Sequence, residues 1–338
     1  MLIEKTKYSY DDIGIVPAKI SHIEHRNECY VHDGDGFLPI FTAPMSTVVD
    51  RHNFFTFMEH GIISILPRSE NIIKRLIWAT HNRWAALSLS EFNEYFCNEN
   101  LKNRCDDTYK VLIDIANGHM SILYDSVKKC KDTYGDKIQI MVGNIANPKT
   151  YEATLSSGAD YVRLSIGTGN GCITSSNTGI HYGIASLISE TVEIKRKYEI
   201  SGVKCPKIIA DGGIRNYSDV VKALALGADY VMIGTLFSSL QESAAKTVSD
   251  TNGDMYKELY GMDLRDEQIC LYGQKTKTSD GMYKKIPVTT TLKTWVENME
   301  SCLKSAMSYC DINSISDFNE QNVNCVILSK TTQESVRK

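Results

Sequence analysis

Residues 207–236 read KIIADGGIRNYSDVVKALALGADYVMIGTL, with two short apolar runs on either side of a longer amphipathic segment. The runs at 207–210 and 230–233 are nearly continuous in apolar side chains, as expected of strands buried on both faces of a parallel sheet. Between them, 217–226 has the apolar spacing of a helix. The stretch therefore predicts a strand–helix–strand unit, and glycines follow directly after each strand.

The same alternation extends along the chain from residue 37 onward. Strands are predicted at 38–43, 62–66, 85–89, 110–115, 138–142, 161–166, 207–210 and 230–233, and helices include 71–83, 122–133, 148–157 and 217–226. This pattern favours a closed (β/α)8 TIM barrel over an open doubly wound sheet, which usually has fewer strands and a glycine fingerprint after its first strand. We predict an α/β protein with one barrel domain spanning 1–338.

Two segments interrupt the βα rhythm. Residues 167–181, GTGNGCITSSNTGIH, are predicted to form a long loop after the sixth strand, where functional loops of barrels lie. Residues 262–289 are polar and are predicted to form a flap after the eighth strand. A helix over 292–309 and a short strand over 323–328 follow.

Composition narrows the class of protein. The 338 residues are 42% hydrophobic and 23% charged, which suits a globular domain, and the net charge of −4 gives no reason to expect a nucleic-acid partner. No run approaches the roughly 18 apolar residues of a membrane span, and the N-terminus lacks the apolar core of a secretion signal. Ten cysteines without a CxxC pair indicate free thiols in a reducing compartment, so we expect a cytoplasmic protein without a membrane partner.

Cys172 is the candidate nucleophile. It ends the sequence Gly167-x-Gly169-x-Gly171-Cys172, in which closely spaced glycines allow backbone groups to approach a ligand. A thiol among oriented amide groups is in a setting that favours the thiolate. Cysteine statistics alone favour the alternative, a buried packing residue.

Polar residues follow the predicted strands at one end of the barrel. Asp211-Gly212-Gly213 follows the seventh strand and Gly234-Thr235 the eighth, where barrels frequently bind phosphate, and an adjacent carboxylate suits a ribose diol. Asp114 to His119 and Gly143-Asn144 end the fourth and fifth strands. Taken alone, Asp-Gly-Gly is more often a turn, and the motifs after the fourth and fifth strands could equally be turns. Together with the loop after the sixth strand, polar or glycine residues follow five successive strands, which is harder to attribute to turns alone.

At these positions the chain resembles the IMP dehydrogenase/GMP reductase family. The similarity covers about residues 8–310 and rests on six segments, namely Asp12 with Ile13–Val16, Thr42-Ala43-Pro44-Met45, Gly167–Thr174, Asp211–Arg215, Met232–Leu236 and Tyr260-Gly261-Met262. The resemblance favours the nucleophile interpretation of Cys172 over the packing one.

The resemblance implies that Cys172 attacks C2 of a purine nucleoside monophosphate, with Thr174 and Asp280 relaying the proton. The implied substrate site comprises Met45, Asn170, Asp211, Gly212, Gly213, Gly234, Thr235, Tyr260, Gly261 and Met262. The implied NADPH site comprises Asp114, Asn117, Gly118 and Arg68. The carbonyls of Gly167, Gly169 and Cys172 match a site for a monovalent cation such as K⁺ in the dehydrogenases, and the family's homotetramer is expected by analogy.

Three features favour the reductase branch of this family. Only a short link, 83–107, stands where dehydrogenases carry a regulatory CBS pair; 114–118 reads DIANG, like the reductases; and Ser279-Asp280-Gly281 is similar to their Ser-Glu-Gly. The flap also has no Arg-Tyr pair, the feature that resembles the water-activating base of the dehydrogenases. We expect reductive deamination of GMP, or a related purine nucleotide, to IMP and ammonia.

The chain also departs from the family pattern, which leaves other functions open. Asp280 is one methylene shorter than the Glu that the family has there. Asn170 stands where the family has Ser, Ser175 stands where it often has Arg, and Pro67-Arg68 stands where it has a His-Lys pair. The alternatives are an IMP dehydrogenase that forms XMP with NAD and a catalytically weak purine-nucleotide-binding homologue. A flavin-dependent barrel is disfavoured because it would leave Cys172 without a role.

Overall fold

The fold is seen in a computed structural model that describes residues 5–98, 108–168, 174–260 and 284–336. Eight parallel strands form one sheet in the order β2-β9-β8-β7-β6-β5-β4-β3. Their bounds are β2 Ile40–Thr42, β3 Ile65–Leu66, β4 His81–Leu87, β5 Thr108–Ile113, β6 Ile138–Ile145, β7 Tyr161–Leu164, β8 Lys207–Asp211 and β9 Tyr230–Ile233. A parallel bridge between Phe41 and Ile63 joins the two edges, so the sheet closes into the predicted TIM barrel.

Helices alternate with the strands around the barrel. They are α1 Phe54–Glu59, α2 Ile72–Thr80, α3 Leu89–Phe96, α4 Ser121–Tyr134, α5 Tyr151–Ser157, α6 Thr174–Thr178, α7 Ile184–Ile200, α8 Tyr217–Ala225, α9 Thr235–Ser238, α10 Leu292–Tyr309 and α11 Lys330–Val336. Polar side chains begin several of them: those of Asn71, Asn216 and Thr291 each accept a hydrogen bond from a backbone N–H in the first turn.

The barrel has two separate apolar layers. Alternate strand residues point outward and pack against the helices, forming the large core. The inward residues form a second cluster inside the barrel, in which the rings of Phe41, Trp84, Tyr161 and Tyr230 contact one another edge-on or tilted. These aromatic side chains fill the lumen, so the site lies above a packed interior.

Two small antiparallel sheets lie outside the barrel. β1 Ile13–Val16 pairs with β13 Asn324–Ile327, which joins the N-terminal segment to the C-terminal one. β10 Thr247–Ser249, β11 Met255–Leu259 and β12 Lys284–Pro287 form the other sheet after the last barrel strand.

The predicted elements agree with the structure at every barrel strand, and the 292–309 helix agrees residue for residue. One prediction was wrong in part. Residues 167–181 do not form one continuous loop, because 174–178 is helical. At the end of the predicted flap, 284–287 is strand β12, and the rest of that segment, 262–283, lies outside the described residues. The sequence analysis also missed α1, α3 and α7, and the link at 83–107 contains the end of β4 and α3.

Two further expectations concern the thiols and the membrane. The seven cysteines within the described ranges are all free thiols, as predicted. None of the helices in those ranges is long and apolar enough to span a membrane.

A buried ion pair fastens α2 to α3 on the outside of the barrel. The Arg75 guanidinium, 4% exposed, lies 2.6 Å from one Glu91 oxygen and 3.1 Å from the other, and also donates to the Ala86 carbonyl. Glu91 in turn accepts a hydrogen bond from the Ser88 N–H. Burial raises the pKa of Glu91, but bonds from Arg75 and Ser88 outweigh this and leave the pKa below its ordinary value.

Substituting Glu91→Ala should destabilise the protein by roughly 3–5 kcal/mol, because Arg75 would remain buried without its carboxylate. The stability due to this pair is fully present at neutral pH and should be lost as pH falls through the lowered pKa of Glu91. Urea unfolding at neutral and acidic pH measures both effects. Glu297→Ala breaks an exposed pair with Lys293 and should change little; equal losses in the two variants would contradict the prediction.

Candidate functional site

The carboxyl ends of β6 and β8 place two predicted strand-end residues in contact. The Asn144 amide nitrogen donates a 2.7 Å hydrogen bond to Oδ2 of Asp211. The Asp211 side chain is 18% exposed, so it has limited access to water. This carboxylate and amide therefore form one polar surface at the open end of the barrel.

Arg163 of β7 lies beneath this pair and connects it to β5. Its Nη2 donates to Asp114 Oδ1 at 3.0 Å and to Asn144 Oδ1, and its Nε lies 3.7 Å from Asp211 Oδ2. Its Nη1 lies 3.8 Å from the sulfur of Met232. One guanidinium therefore contacts side chains of four other strands.

The charges of this cluster perturb Asp211. Burial raises the pKa of Asp211, the Arg163 charge and the Asn144 hydrogen bond lower it, and the Asp114 charge raises it; the net pKa lies above its ordinary value. A carboxylate with a raised pKa accepts hydrogen bonds strongly, but it depends on its cationic neighbour to stay ionised. The cluster is thus suited to binding neutral hydroxyl groups.

Arg68, after β3, brings a second cation to Asp114. Its Nη1 lies 3.4 Å from the Asp114 carbonyl oxygen and 4.0 Å from Oδ2. Asp114 therefore lies between two guanidinium groups, Arg68 on one side and Arg163 on the other. The predicted cofactor residues Arg68 and Asp114 do come together.

The loops after β5 and β6 pack directly on each other. Gly118 N donates to the Asn144 carbonyl at 2.8 Å, and a methyl group at Gly118 would lie only 2.6 Å from that oxygen. His119 accepts a hydrogen bond from Ala146 N through Nε2, and burial lowers the pKa of its imidazole. The exposed Asn117 caps the same turn by accepting from His119 N.

The Gly212-Gly213 turn, which is predicted to bind phosphate, lies beside Thr168, the residue that precedes the segment carrying Cys172. Gly212 and Gly213 have φ values of +91° and +75°, which disfavour any side chain there. A methyl group at Gly213 would lie 3.6 Å from the Tyr10 ring and 3.9 Å from Thr168. The hydroxyl of Tyr10 is buried without a hydrogen-bond partner in the described structure.

The remaining predicted residues are placed as follows. Met45 approaches Gly234, since a methyl group there would lie 3.0 Å from its sulfur, and Thr235 begins α9. Gly167 packs against Ser175, so the residues on either side of the segment carrying Cys172 are in contact, and Thr174 begins α6. Tyr260 directly follows β11, outside the barrel sheet. Gly169, Asn170, Cys172, Gly261, Met262 and Asp280 lie outside the described residues.

Arg163 is the functional candidate that the sequence analysis missed. It belongs to YVRL, in which Val162 and Leu164 point outward to the helices and Tyr161 points into the lumen. A single charge on the inward face of a fully buried strand requires a partner, because an unpaired buried charge costs several kcal/mol, roughly. This charged residue within an otherwise apolar strand is the sequence feature that could have identified Arg163.

The fold and the cluster define the class of protein. A TIM barrel whose carboxyl-end loops bring together buried charges and positive-φ glycines is typical of an enzyme. No group of three or more His, Cys, Asp or Glu side chains within the described ranges is arranged to hold a metal ion.

Comparison with known proteins defines the family. A family model described as "IMP dehydrogenase / GMP reductase domain" matches residues 96–337, which is more than half of the chain. The chain belongs to this family and is an oxidoreductase. Similar curated proteins include GMP reductases of Bacillus subtilis strain 168 (29% identical, covering 89% of this chain and 90% of the relative) and Streptococcus pneumoniae strain JJA (28%, covering 98% of both).

Replacing Gly118 by Ala should move the Asn144 backbone, because the added methyl group would overlap its carbonyl oxygen. We expect a loss of stability of about 1–3 kcal/mol, measured by thermal unfolding. Gly34→Ala is the matched control, since no atom lies within 4 Å of a methyl group there. A Gly118→Ala variant as stable as this control would show that the two loops separate freely.

Proposed function

We propose that the protein catalyses the NADPH-dependent reductive deamination of GMP to IMP and ammonia. The observation that carries the proposal is the juxtaposition, at one barrel mouth, of the Asp211–Asn144 pair, the positive-φ Gly212-Gly213 turn and the base of the Cys172 loop. Relatives covering about nine tenths or more of the chain are named GMP reductase, and DIANG at 114–118 supports the same activity.

The substrate is proposed to lie across the carboxyl ends of β6, β8 and β9. Asp211 would accept hydrogen bonds from the ribose hydroxyls, because a buried carboxylate held by Asn144 presents fixed acceptors. The phosphate would bind the backbone of Gly212, Gly213, Gly234 and Thr235, joined by Asn170. The base would contact Met45, Tyr260, Gly261 and Met262.

The reaction is proposed to proceed through Cys172. Its thiolate would add to C2 of the purine, and the 2-amino group would leave as ammonia after Asp280, acting through Thr174, supplied a proton. The product IMP is released when the carbon–sulfur bond breaks and the thiolate re-forms. NADPH, when bound, supplies the hydride that C2 accepts.

The donor set after β5 fits a nicotinamide. A carboxamide needs both an acceptor and a donor, and the Asp114 carboxylate and the Asn117 side chain offer them beside the proposed ribose site, while the Gly118 N–H anchors this loop to the Asn144 carbonyl. Arg68 would orient Asp114.

We further propose K⁺ at the carbonyls of Gly167, Gly169 and Cys172, since neutral oxygen donors suit such an ion. A cytoplasmic homotetramer is proposed by analogy with the family.

Mixing the protein with GMP and NADPH should bleach the reduced-nicotinamide absorbance, whereas IMP with NAD should not increase it. Intact mass spectrometry without NADPH should detect a purine adduct in wild type and none in Cys172→Ala, whose turnover should fall by at least about 10³-fold. Cys205→Ala, which alters a thiol in the αβ link before β8, should keep both signals. NADH formation from IMP would establish the dehydrogenase instead, and GMP binding without turnover or adduct would establish a binding protein.

Asp280→Asn should lower kcat by about 10²–10⁴-fold, because the amide cannot donate the proton that the leaving amine requires. Asp280→Glu should retain activity, since it restores the family's side chain. Asp125→Asn, which changes an exposed carboxylate on α4, is the control. Full activity of Asp280→Asn would remove this residue from the proton relay.

A further inference from the structure

We propose that Arg163 is a positioning residue that locks the orientation of Asp211 for ribose recognition and couples it to Asp114 on the cofactor side. The inference rests on the proposed function for the roles of the two carboxylates. It assigns to Arg163 an action through its neighbours, because its side chain is 5% exposed and lies beneath them.

The guanidinium of Arg163 is rigid. Its five N–H donors lie in one plane at fixed angles, so partners bound to it are fixed relative to one another. Nη2 bonds to Asp114 and Asn144 while Nε faces Asp211, and these three partners come from three different strands. A rotation of any one of them therefore strains the contacts of the others.

The contacts within the cluster leave one oxygen of Asp211 available to a ligand. Oδ2 of Asp211 accepts from Asn144 and faces Arg163, whereas no described residue donates a hydrogen bond to Oδ1. The Nε–H of Arg163 is buried and makes no hydrogen bond within the described structure. The carboxylate is thus held along one edge with its other oxygen left for a hydroxyl.

Arg163 also acts on Asp211 through its charge. The ionisable groups facing Asp211 are Arg163 from β7, Asp114 from β5 and the buried Tyr10 from the N-terminal segment. Among these only Arg163 is cationic, so it opposes the increase in pKa that burial imposes on Asp211. Without Arg163 the pKa of Asp211 should rise further, and affinity for a hydroxyl donor should fall as pH falls through that pKa.

We call the contact by which Arg163 holds Asp211 the clamp. A double-mutant cycle in the ligand-free protein tests it directly. The unfolding equilibrium constants of wild type, Arg163→Gln, Asp211→Asn and the double variant are compared by urea titration. We expect the double variant to be at least about tenfold more stable than the two single effects predict, because Asp211→Asn removes the charge that Arg163→Gln leaves unpaired. Additive effects would overturn the clamp.

Binding and kinetics test what the clamp does. In Arg163→Gln, KM for GMP should rise by roughly 10–100-fold, the preference for GMP over dGMP should approach one, and GMP affinity should weaken from pH 8 to pH 6 more steeply than in wild type. Arg163→Lys should restore the pH profile but only part of the GMP preference, since a lysine lacks the planar donors.

Arg75→Gln is the matched control, since it removes another buried guanidinium, which pairs with Glu91 and with none of the carboxylates of this cluster. It should destabilise the protein without altering KM, the GMP preference or the pH profile. If Arg163→Gln behaves like Arg75→Gln in all three, the positioning role is wrong although the reductase activity stands. If wild type does not reduce GMP, the proposed function fails, and the ligand-free cycle still decides the clamp.

Discussion

The arrangement of the site depends on one constraint, the burial of a permanent positive charge inside the barrel. An arginine side chain such as that of Arg163 carries a permanent positive charge, so the fold must supply compensating charge and hydrogen-bond acceptors at that depth. Asp114 and Asn144 do so directly and Asp211 does so at 3.7 Å. Because β5, β6 and β8 each contribute one of these partners, the strand ends that would bind substrate and cofactor are fixed by the same requirement.

The glycines around this cluster follow from the same crowding. A methyl group at Gly143 would lie 2.7 Å from the Arg163 carbonyl oxygen, so β6 can reach its position beside β7 only without a side chain there. Gly118 approaches Asn144 equally closely from the other side. Backbone therefore packs closely against Asn144 and Arg163, and the low exposure of the cluster strengthens the electrostatic contacts within it.

Sequence reasoning located the barrel because its strands are apolar runs and its helices are amphipathic, and both patterns are local. The convergence of Asp114, Asn144 and Asp211 followed from barrel geometry, which places all strand ends on one face. Side-chain partners did not follow, because they depend on distances between elements far apart in sequence. Helix α6 was missed because its Ser, Thr and Asn side chains favour loops locally, whereas its position against Gly167 is a tertiary contact.

The N-terminal segment gives the Gly212-Gly213 turn, the proposed phosphate site, an unusual dependence on chain order. Asp11 forms a two-bond contact with Arg215, Tyr10 packs against Gly213, and the following strand, β1, pairs with β13 near the other end of the sequence. During synthesis on the ribosome, the barrel strands emerge well before residues 324–327. The strand pairing that anchors the segment beside Gly213 is therefore completed only after the barrel strands have been made.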